Sequence, residues 1–156
     1  MTEDDAVLGA RTTEGPPGSI RPLVAAVIRD GNRILVWDDL DPSTGEVVAV
    51  PIAGGIEFGE TSAEAVQREV EEELGCRPAS CRFLGVLEDV FEWSGKKRHE
   101  LWFVYDIDLS DRAPYEREQI VIVEPDGDAY AARWRELTEF DGGARLVPTG
   151  LLELIR

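Results

Sequence analysis

Three glutamates near the middle of the chain have the spacing that puts carboxylates on one face of a helix. Glu69, Glu72 and Glu73 follow an i, i+3, i+4 pattern, whereas Glu71 points away from that face. Carboxylates held this close repel one another, which costs helix stability and raises the pKa of at least one of them. A divalent cation would remove the repulsion, and oxygen-only ligands suit hard ions such as Mg²⁺ or Mn²⁺. The alternative is a solvated acidic face, which is the commoner role of a glutamate-rich helix.

The residues around these glutamates predict the helix that positions them. Thr61 with Glu64 three residues later has the pattern of a capping box, and Gly75 is the residue type that ends a helix in the left-handed conformation. Apolar residues recur at helical spacing and predict the buried face, namely Ala63, Val66, Val70 and Leu74. Glycines precede the helix and let a turn pass close to a ligand, at Gly54, Gly55 and Gly59. This combination favours a metal site over a solvated face.

A longer pattern joins the glycine-rich turn to the helix. Its fixed positions are Gly54, Glu60, Arg68, Glu69, Val70, Glu72, Glu73, Gly75 and Cys76. This pattern resembles the signature of the Nudix hydrolase family, which is Gly, five residues, Glu, seven residues, then Arg-Glu-apolar-any-Glu-Glu-any-Gly-apolar. Every fixed position is met, and so many constraints make the match far more specific than a lone glycine-rich loop. Ala53 stands where the family often has glycine, so either Ala53 or Gly54 could offer the backbone carbonyl that binds the metal.

The resemblance implies a hydrolase that uses Mg²⁺ or Mn²⁺ and cleaves a diphosphate linkage. Its substrate would be a small molecule, a nucleoside di- or triphosphate or a nucleoside diphosphate derivative. The implied catalytic residues are Glu60, Arg68, Glu69 and Glu73, the implied metal ligands are Glu69, Glu72 and Glu73, and the implied cofactor-binding backbone lies at Gly54 and Gly55. We expect Arg68 to pair with Glu60 and orient the turn. Which glutamate is the general base stays open.

Two further groups of charged residues could contribute to such a site. A distant loop often supplies another acid in this family, and the candidates are Glu116, Glu118 and Glu124, each of which is otherwise an ordinary surface charge. The segment Ser94-Gly95-Lys96-Lys97 is predicted to be a turn at a loop tip. With Arg98 and His99 it forms a basic patch that could hold substrate phosphates or stay solvated.

Length and charge narrow the class of protein. The 156 residues fit one domain with a full core. The net charge of −16 argues against nucleic-acid polymers as partners, because these need basic surface. No apolar run predicts a membrane span and no signal peptide is recognisable, so a cytoplasmic location with Cys76 and Cys81 reduced is expected. A homodimer remains open.

Apolar runs separated by turn residues predict strands outside the acidic helix. They cover residues 20–29, 33–37, 47–50, 81–90, 100–109, 120–123 and 129–135, and a short helix is predicted after Pro148-Thr149. This order predicts an α/β fold with a mixed β-sheet between helices. The resemblance implies the same fold, a Nudix-like α/β/α sandwich. Residues 1–18 are predicted to be a mobile N-terminal tail and residues 19–156 a single domain.

A second function is compatible with the same fold. Some relatives are catalytically silent and sense a nucleotide or bind a partner, usually with decayed motif carboxylates or an attached DNA-binding domain. This chain keeps each motif acid, so the sequence favours the enzyme.

Overall fold

The computed structural model describes residues 8–9 and 16–156. Its strands are β1 (Leu8–Gly9), β2 (Ile20–Asp30), β3 (Arg33–Leu40), β4 (Val47–Gly55), β5 (Pro78–Trp93), β6 (Lys96–Leu109), β7 (Gln119–Val123), β8 (Ala129–Glu136) and β9 (Arg145–Leu146). Its helices are α1 (Ser62–Leu74), α2 (Ala113–Glu116) and α3 (Leu151–Ile155), with a 3₁₀ helix at Leu137–Phe140. The mixture of strands and helices confirms the predicted α/β class.

The sheet is mixed because strand β2 has both a parallel and an antiparallel neighbour. The strand order is β5-β6-β2-β4-β3-β8-β7, with β1 beside β3 and β9 beside β4. Strand β2 runs parallel to β6 and antiparallel to β4. The register puts Leu23 opposite both Gly55 of β4 and Trp102 of β6. These three strands therefore bring the end of the glycine-rich segment beside the middle of β6.

Helix α1 has the caps that the sequence predicts. The Glu64 backbone N–H donates to Thr61 Oγ1 at 3.1 Å, and Gly75 ends the helix with a φ of 69°. Val66 and Val70 are fully buried, together with Ala65, which the predicted apolar stripe left out. The helix packs on β4, β2 and β5, so its other side is free to present carboxylates to the glycine turn.

The structure corrects one predicted turn and one predicted loop. Lys96 and Lys97 belong to strand β6, and the turn is limited to Ser94 and Gly95, which have φ values of 53° and 74°. Strands β5 and β6 pair along almost their whole length, so the hairpin extends past the polar residues that suggested a loop tip. The segment 111–119 is charged and contains Pro114, which predicts a loop, but the structure places the short helix α2 within it.

Other expectations concern the ends and the surface of the chain. The predicted tail at residues 1–18 falls largely outside the described residues, and the division at residue 19 stays a prediction. Cys76 and Cys81 are free thiols, as expected. Within residues 8–9 and 16–156, no helix combines the length and apolar composition needed to cross a membrane.

Candidate active site

A cleft of about 510 Å³ lies where the acidic face of α1 meets the end of β4. The three glutamates of the helix face line it together with Arg68, Gly54 and Gly55. Residues from the β7–β8 hairpin close it from another side, namely Glu124, Pro125 and Tyr130. Of the predicted site residues, Glu60 does not line the cleft and instead contacts it through Arg68.

Arg68 is the hub that ties the glycine turn to the helix. Its Nε and Nη2 donate to the two carboxylate oxygens of Glu60 at 2.7 and 2.9 Å, which is the bidentate fork expected from the sequence. Nη2 also donates to the Gly55 carbonyl at 3.0 Å, and Nη1 donates to Glu69 Oε1 at 2.8 Å. The hydrogen bonds from Arg68 are the main reason that the pKa of Glu60 falls to about 2. Glu60 is therefore ionised and acts on Arg68 rather than on a substrate.

Gly54 is the point of closest approach between the turn and the helix face. A Cβ atom added there would lie 2.0 Å from Glu69 Cδ, a separation that no side chain could occupy unless Glu69 moved. A Cβ at the neighbouring Gly55 would meet only Arg21 Nη2, at 3.7 Å, which is ordinary contact. The motif glycine thus allows the Glu69 carboxylate to lie directly against the backbone of β4.

The carboxylates of the helix face differ in burial and in protonation. Burial raises the pKa of Glu69 to about 7, with Glu72 and Glu124 adding to the rise and Arg68 opposing it. Burial also raises the pKa of Glu73 well above its usual value, reinforced by the charges of Glu69 and Glu124. Glu72 has 49% of its side chain exposed and receives a 3.4 Å hydrogen bond from Arg68 Nη1. Burial, reinforced by neighbouring charges, therefore disfavours the ionised forms of the partly buried Glu69 and the buried Glu73.

The structure brings one of the three candidate distal acids to the cleft. Glu124 lines the cleft. Burial, followed by the nearby charges of Asp126 and Glu72, raises the pKa of Glu124, and a hydrogen bond from Tyr130 opposes the rise. Glu116 and Glu118 are exposed and do not line the cleft. The Tyr130 hydroxyl hydrogen-bonds to both Glu73 and Glu124, so it connects the helix face to the β7–β8 hairpin.

The donor set fits a hard divalent cation in its chemistry. Glu73 Oε2 is buried without a hydrogen-bond partner among the described residues, and a buried carboxylate oxygen left so is costly. Across the described part of the chain, no group of three acidic, histidine or cysteine side chains is already arranged around one ion position. Arg68 accounts for this, because it draws Glu69 and Glu72 toward its guanidinium. The exposed Glu72 side chain is the one with room to turn toward a shared cation.

Several residues of the cleft were not predicted from the sequence. Tyr130 carries no local signal, and only the pairing of β8 with β3 and β7 brings it to the acids. Arg21, Glu100 and Trp102 also line the cleft, through the parallel pairing of β2 with β6. Trp37 is buried, its ring centroid lies 4.8 Å from that of Tyr130, and it also lines the cleft.

Comparison with known proteins identifies the family. The model of the NUDIX domain matches residues 19–152, which is most of the chain. A MutT NUDIX hydrolase from Burkholderia pseudomallei is 25% identical, with 88% of this chain and 99% of that chain covered and a TM-score of 0.63. A NUDIX hydrolase from Nitrosomonas europaea is 20% identical, with 88% and 86% covered and a TM-score of 0.56.

A structure described as an ADP compounds hydrolase shares the fold at 18% identity, with 90% of this chain and 73% of that chain covered and a TM-score of 0.55. Among curated proteins, none matched the sequence. The family match extends well beyond the motif and includes the β7–β8 hairpin, which carries Glu124 in its turn and Tyr130 in β8. The chain therefore belongs to the NUDIX family, with the α/β fold and the pyrophosphohydrolase activity on phosphorus-containing acid anhydrides that its signature implied.

Proposed function

We propose that the cleft hydrolyses the diphosphate linkage of a nucleoside di- or triphosphate, or of a nucleoside diphosphate derivative, with Mg²⁺ or Mn²⁺ as cofactor. The observation that carries this proposal is the pair of buried carboxylates, Glu69 and Glu73, whose pKa values are both raised. Such an arrangement is unfavourable without a cation, and the glycine turn beside it leaves room for phosphate oxygens. The neighbouring acids Glu72 and Glu124 increase the local demand for positive charge.

The roles follow from burial and contacts. Glu69, Glu72 and Glu73 supply the oxygen ligands, with Glu124 at the opposite wall. When bound, the cation offsets the charge of the diphosphate and lowers the pKa of water. Glu69 is assigned as proton acceptor as well, because Arg68 and the close approach at Gly54 hold its carboxylate in the cleft. Arg68 and Glu60 are positioning residues, since their contacts hold the turn against the helix. The backbone at Gly54 and Gly55 lies along the phosphates.

The first experiment is a hydrolysis screen over nucleoside triphosphates, nucleotide sugars and dinucleotides, each with Mg²⁺ and with Mn²⁺. We expect release of a mononucleotide from at least one class, with no turnover in EDTA. If no compound is turned over while the folded protein binds a nucleotide, the silent nucleotide sensor is the better description of this chain.

Metal binding should be visible as stabilisation of the fold. The cation binds the folded acidic face and not the dispersed glutamates of the unfolded chain, so Mg²⁺ or Mn²⁺ should raise the melting temperature. At a concentration roughly one hundred times Kd, binding adds about 2.7 kcal/mol to the free energy of unfolding. Glu72→Gln should shrink this shift, whereas Glu71→Gln should keep it. A full shift in Glu72→Gln would show that Glu72 is not a ligand.

The close approach at Gly54 should matter more for turnover than for folding. In Gly54→Ala the new methyl group displaces the flexible Glu69 side chain, so we expect a modest change in melting temperature. The same displacement should lower kcat/KM by roughly tenfold to a hundredfold, because misplaced catalytic groups are costly. Gly55→Ala is the matched control, since its Cβ makes only ordinary contact. Equal kcat/KM for the two variants would contradict the assigned contact.

The buried carboxylates should have opposite effects on stability and on catalysis. Glu69→Gln and Glu73→Gln each remove a repelling charge at nearly constant size, so the metal-free melting temperature should stay level or rise. Turnover should fall by roughly a hundredfold or more through loss of a ligand or proton acceptor. Glu71→Gln should stay within about twofold, because it removes only a surface ion pair with the exposed Arg77. Comparable damage from Glu71→Gln would refute the assigned face.

The raised pKa of Glu69 predicts how metal-free stability depends on pH. The folded protein keeps a proton on Glu69 up to about pH 7, whereas the unfolded chain releases it near 4.5. The folded state thus binds more protons between these values, so its stability falls as pH rises through that window. Urea unfolding in EDTA should give a higher free energy of unfolding at pH 5 than at pH 8. Glu69→Gln should reduce this dependence, with the remainder due to the raised pKa values of Glu73 and Glu124, and an unchanged slope in that variant would count against the assignment.

A further inference from the structure

A second cavity of about 490 Å³ adjoins the active-site cleft. The two cavities share Arg21 and Glu100, which are register partners on the parallel strands β2 and β6. The remaining wall of the second cavity comes from the first residues of β6, from Lys96 to His99, and from the segment 16–19. A ligand could therefore extend from the carboxylates past Arg21 into this second cavity.

Most charged side chains around the second cavity are basic, although the chain as a whole is acidic. The protein has 32 acidic residues against 16 Lys and Arg, yet both of its lysines and its single histidine line this cavity. Arg98 and Arg21 add two guanidinium groups. Three acids oppose them, since Glu100 is buried in the wall, Glu88 hydrogen-bonds to His99 Nε2 at 3.1 Å, and Glu92 is the cross-strand partner of Lys97. Four permanently charged cations still outnumber these three carboxylates.

The fold holds the basic residues in place. Lys96 and Lys97 are paired with Trp93 and Glu92 on β5, so they lie on a regular hairpin and not on a loose loop tip. Trp93 is buried and anchors this end of the hairpin. Pairing of this kind fixes the backbone of both lysines and leaves their exposed side chains able to reach a ligand.

We propose that the second cavity binds an additional phosphate group that the substrate carries away from the diphosphate that is cleaved. The inference rests on the proposed function of the cleft and narrows its substrate class to phosphorylated nucleoside diphosphate derivatives. Lys96 and Arg98 share the face of β6 on which Glu100 and Trp102 line the cleft, and Arg98 precedes Trp102 by four positions, which is about 14 Å along an extended strand. A nucleoside lying over Arg21, together with the reach of the Arg98 and Lys96 side chains, covers that separation, whereas inorganic pyrophosphate does not.

The binding test uses two ligands that differ by one phosphate and cannot be hydrolysed at a diphosphate. Adenosine 2′,5′-bisphosphate and AMP are titrated calorimetrically into the full chain with Mg²⁺ present. Charge-assisted hydrogen bonds to the ammonium and guanidinium groups of the cavity should make the bisphosphate bind roughly tenfold tighter or more. The preference should weaken as salt concentration rises.

Three variants locate the effect. Lys96→Gln/Lys97→Gln should remove the preference, and Lys96→Arg/Lys97→Arg should keep it because the charges remain. Arg77→Gln/Arg82→Gln is the charge-matched control, since it removes two exposed cations that line neither cavity. The preference should survive in this control, which separates a local contact from a change in the overall field. Melting temperatures confirm that each variant is folded.

The turnover test keeps the two proposals distinct. With Mg²⁺, kcat/KM for NADPH should exceed that for NADH by a similar factor, and the Lys→Gln pair should lose this excess while retaining its kcat/KM for NADH. Equal affinity for the bisphosphate and AMP, or binding of neither, overturns the second site. Turnover of NADH without any preference for NADPH also overturns it and leaves the proposed hydrolysis intact. Loss of the preference in Arg77→Gln/Arg82→Gln would assign the effect to net charge and overturn the inference as well.

Discussion

The arrangement of the cleft depends on the contacts of one guanidinium group, that of Arg68. A fork of two hydrogen bonds joins it to Glu60, and further bonds reach Glu69 and the Gly55 carbonyl. These contacts connect the glycine turn, the start of α1 and the carboxylate face in one network. Removal of the Arg68 guanidinium would leave partly buried carboxylates without their counter-charge. That loss costs more than the ion pair between Arg68 and Glu60 itself contributes. The network therefore sets both the shape of the turn and the orientation of Glu69.

Arg68 does not neutralise the acidic face, so the carboxylates of that face still lack positive charge. Glu69 and Glu73 keep raised pKa values although Arg68 contacts the first of them. The Tyr130 hydroxyl is a hydrogen-bond partner of both Glu73 and Glu124, but its one proton serves a single carboxylate at a time and a neutral hydroxyl cannot cancel their charges. Either protons or a cation must supply the missing positive charge. Under the proposed function, the same repulsion that weakens the metal-free protein would add to its affinity for a divalent ion.

The predictable part of the site is the part whose geometry is local. Helix caps, the apolar stripe and the shared face of Glu69, Glu72 and Glu73 all follow from a 3.6-residue period. The pair between Arg68 and Glu60 spans only a single turn and the first helical residues. Selecting Glu124 over Glu116 and Glu118 was beyond the sequence, because it depends on where the β7–β8 hairpin lies. Tyr130 was missed for the same reason, since strand pairing across many residues brings it to the acids.

The basic cavity shows a different limit of sequence reasoning. Lysine and glycine favoured a loop tip at residues 94–97, but the long β5–β6 pairing continued through both lysines, so tertiary context outweighed local preference. The parallel pairing of β2 with β6 then placed Arg21 between the lysines and the acids. The local group of basic side chains would allow a protein that is acidic overall to bind an anionic ligand. The overall field opposes long polyanions, while a short gradient from a cation-loaded acidic face to a basic cavity can hold and orient a small one.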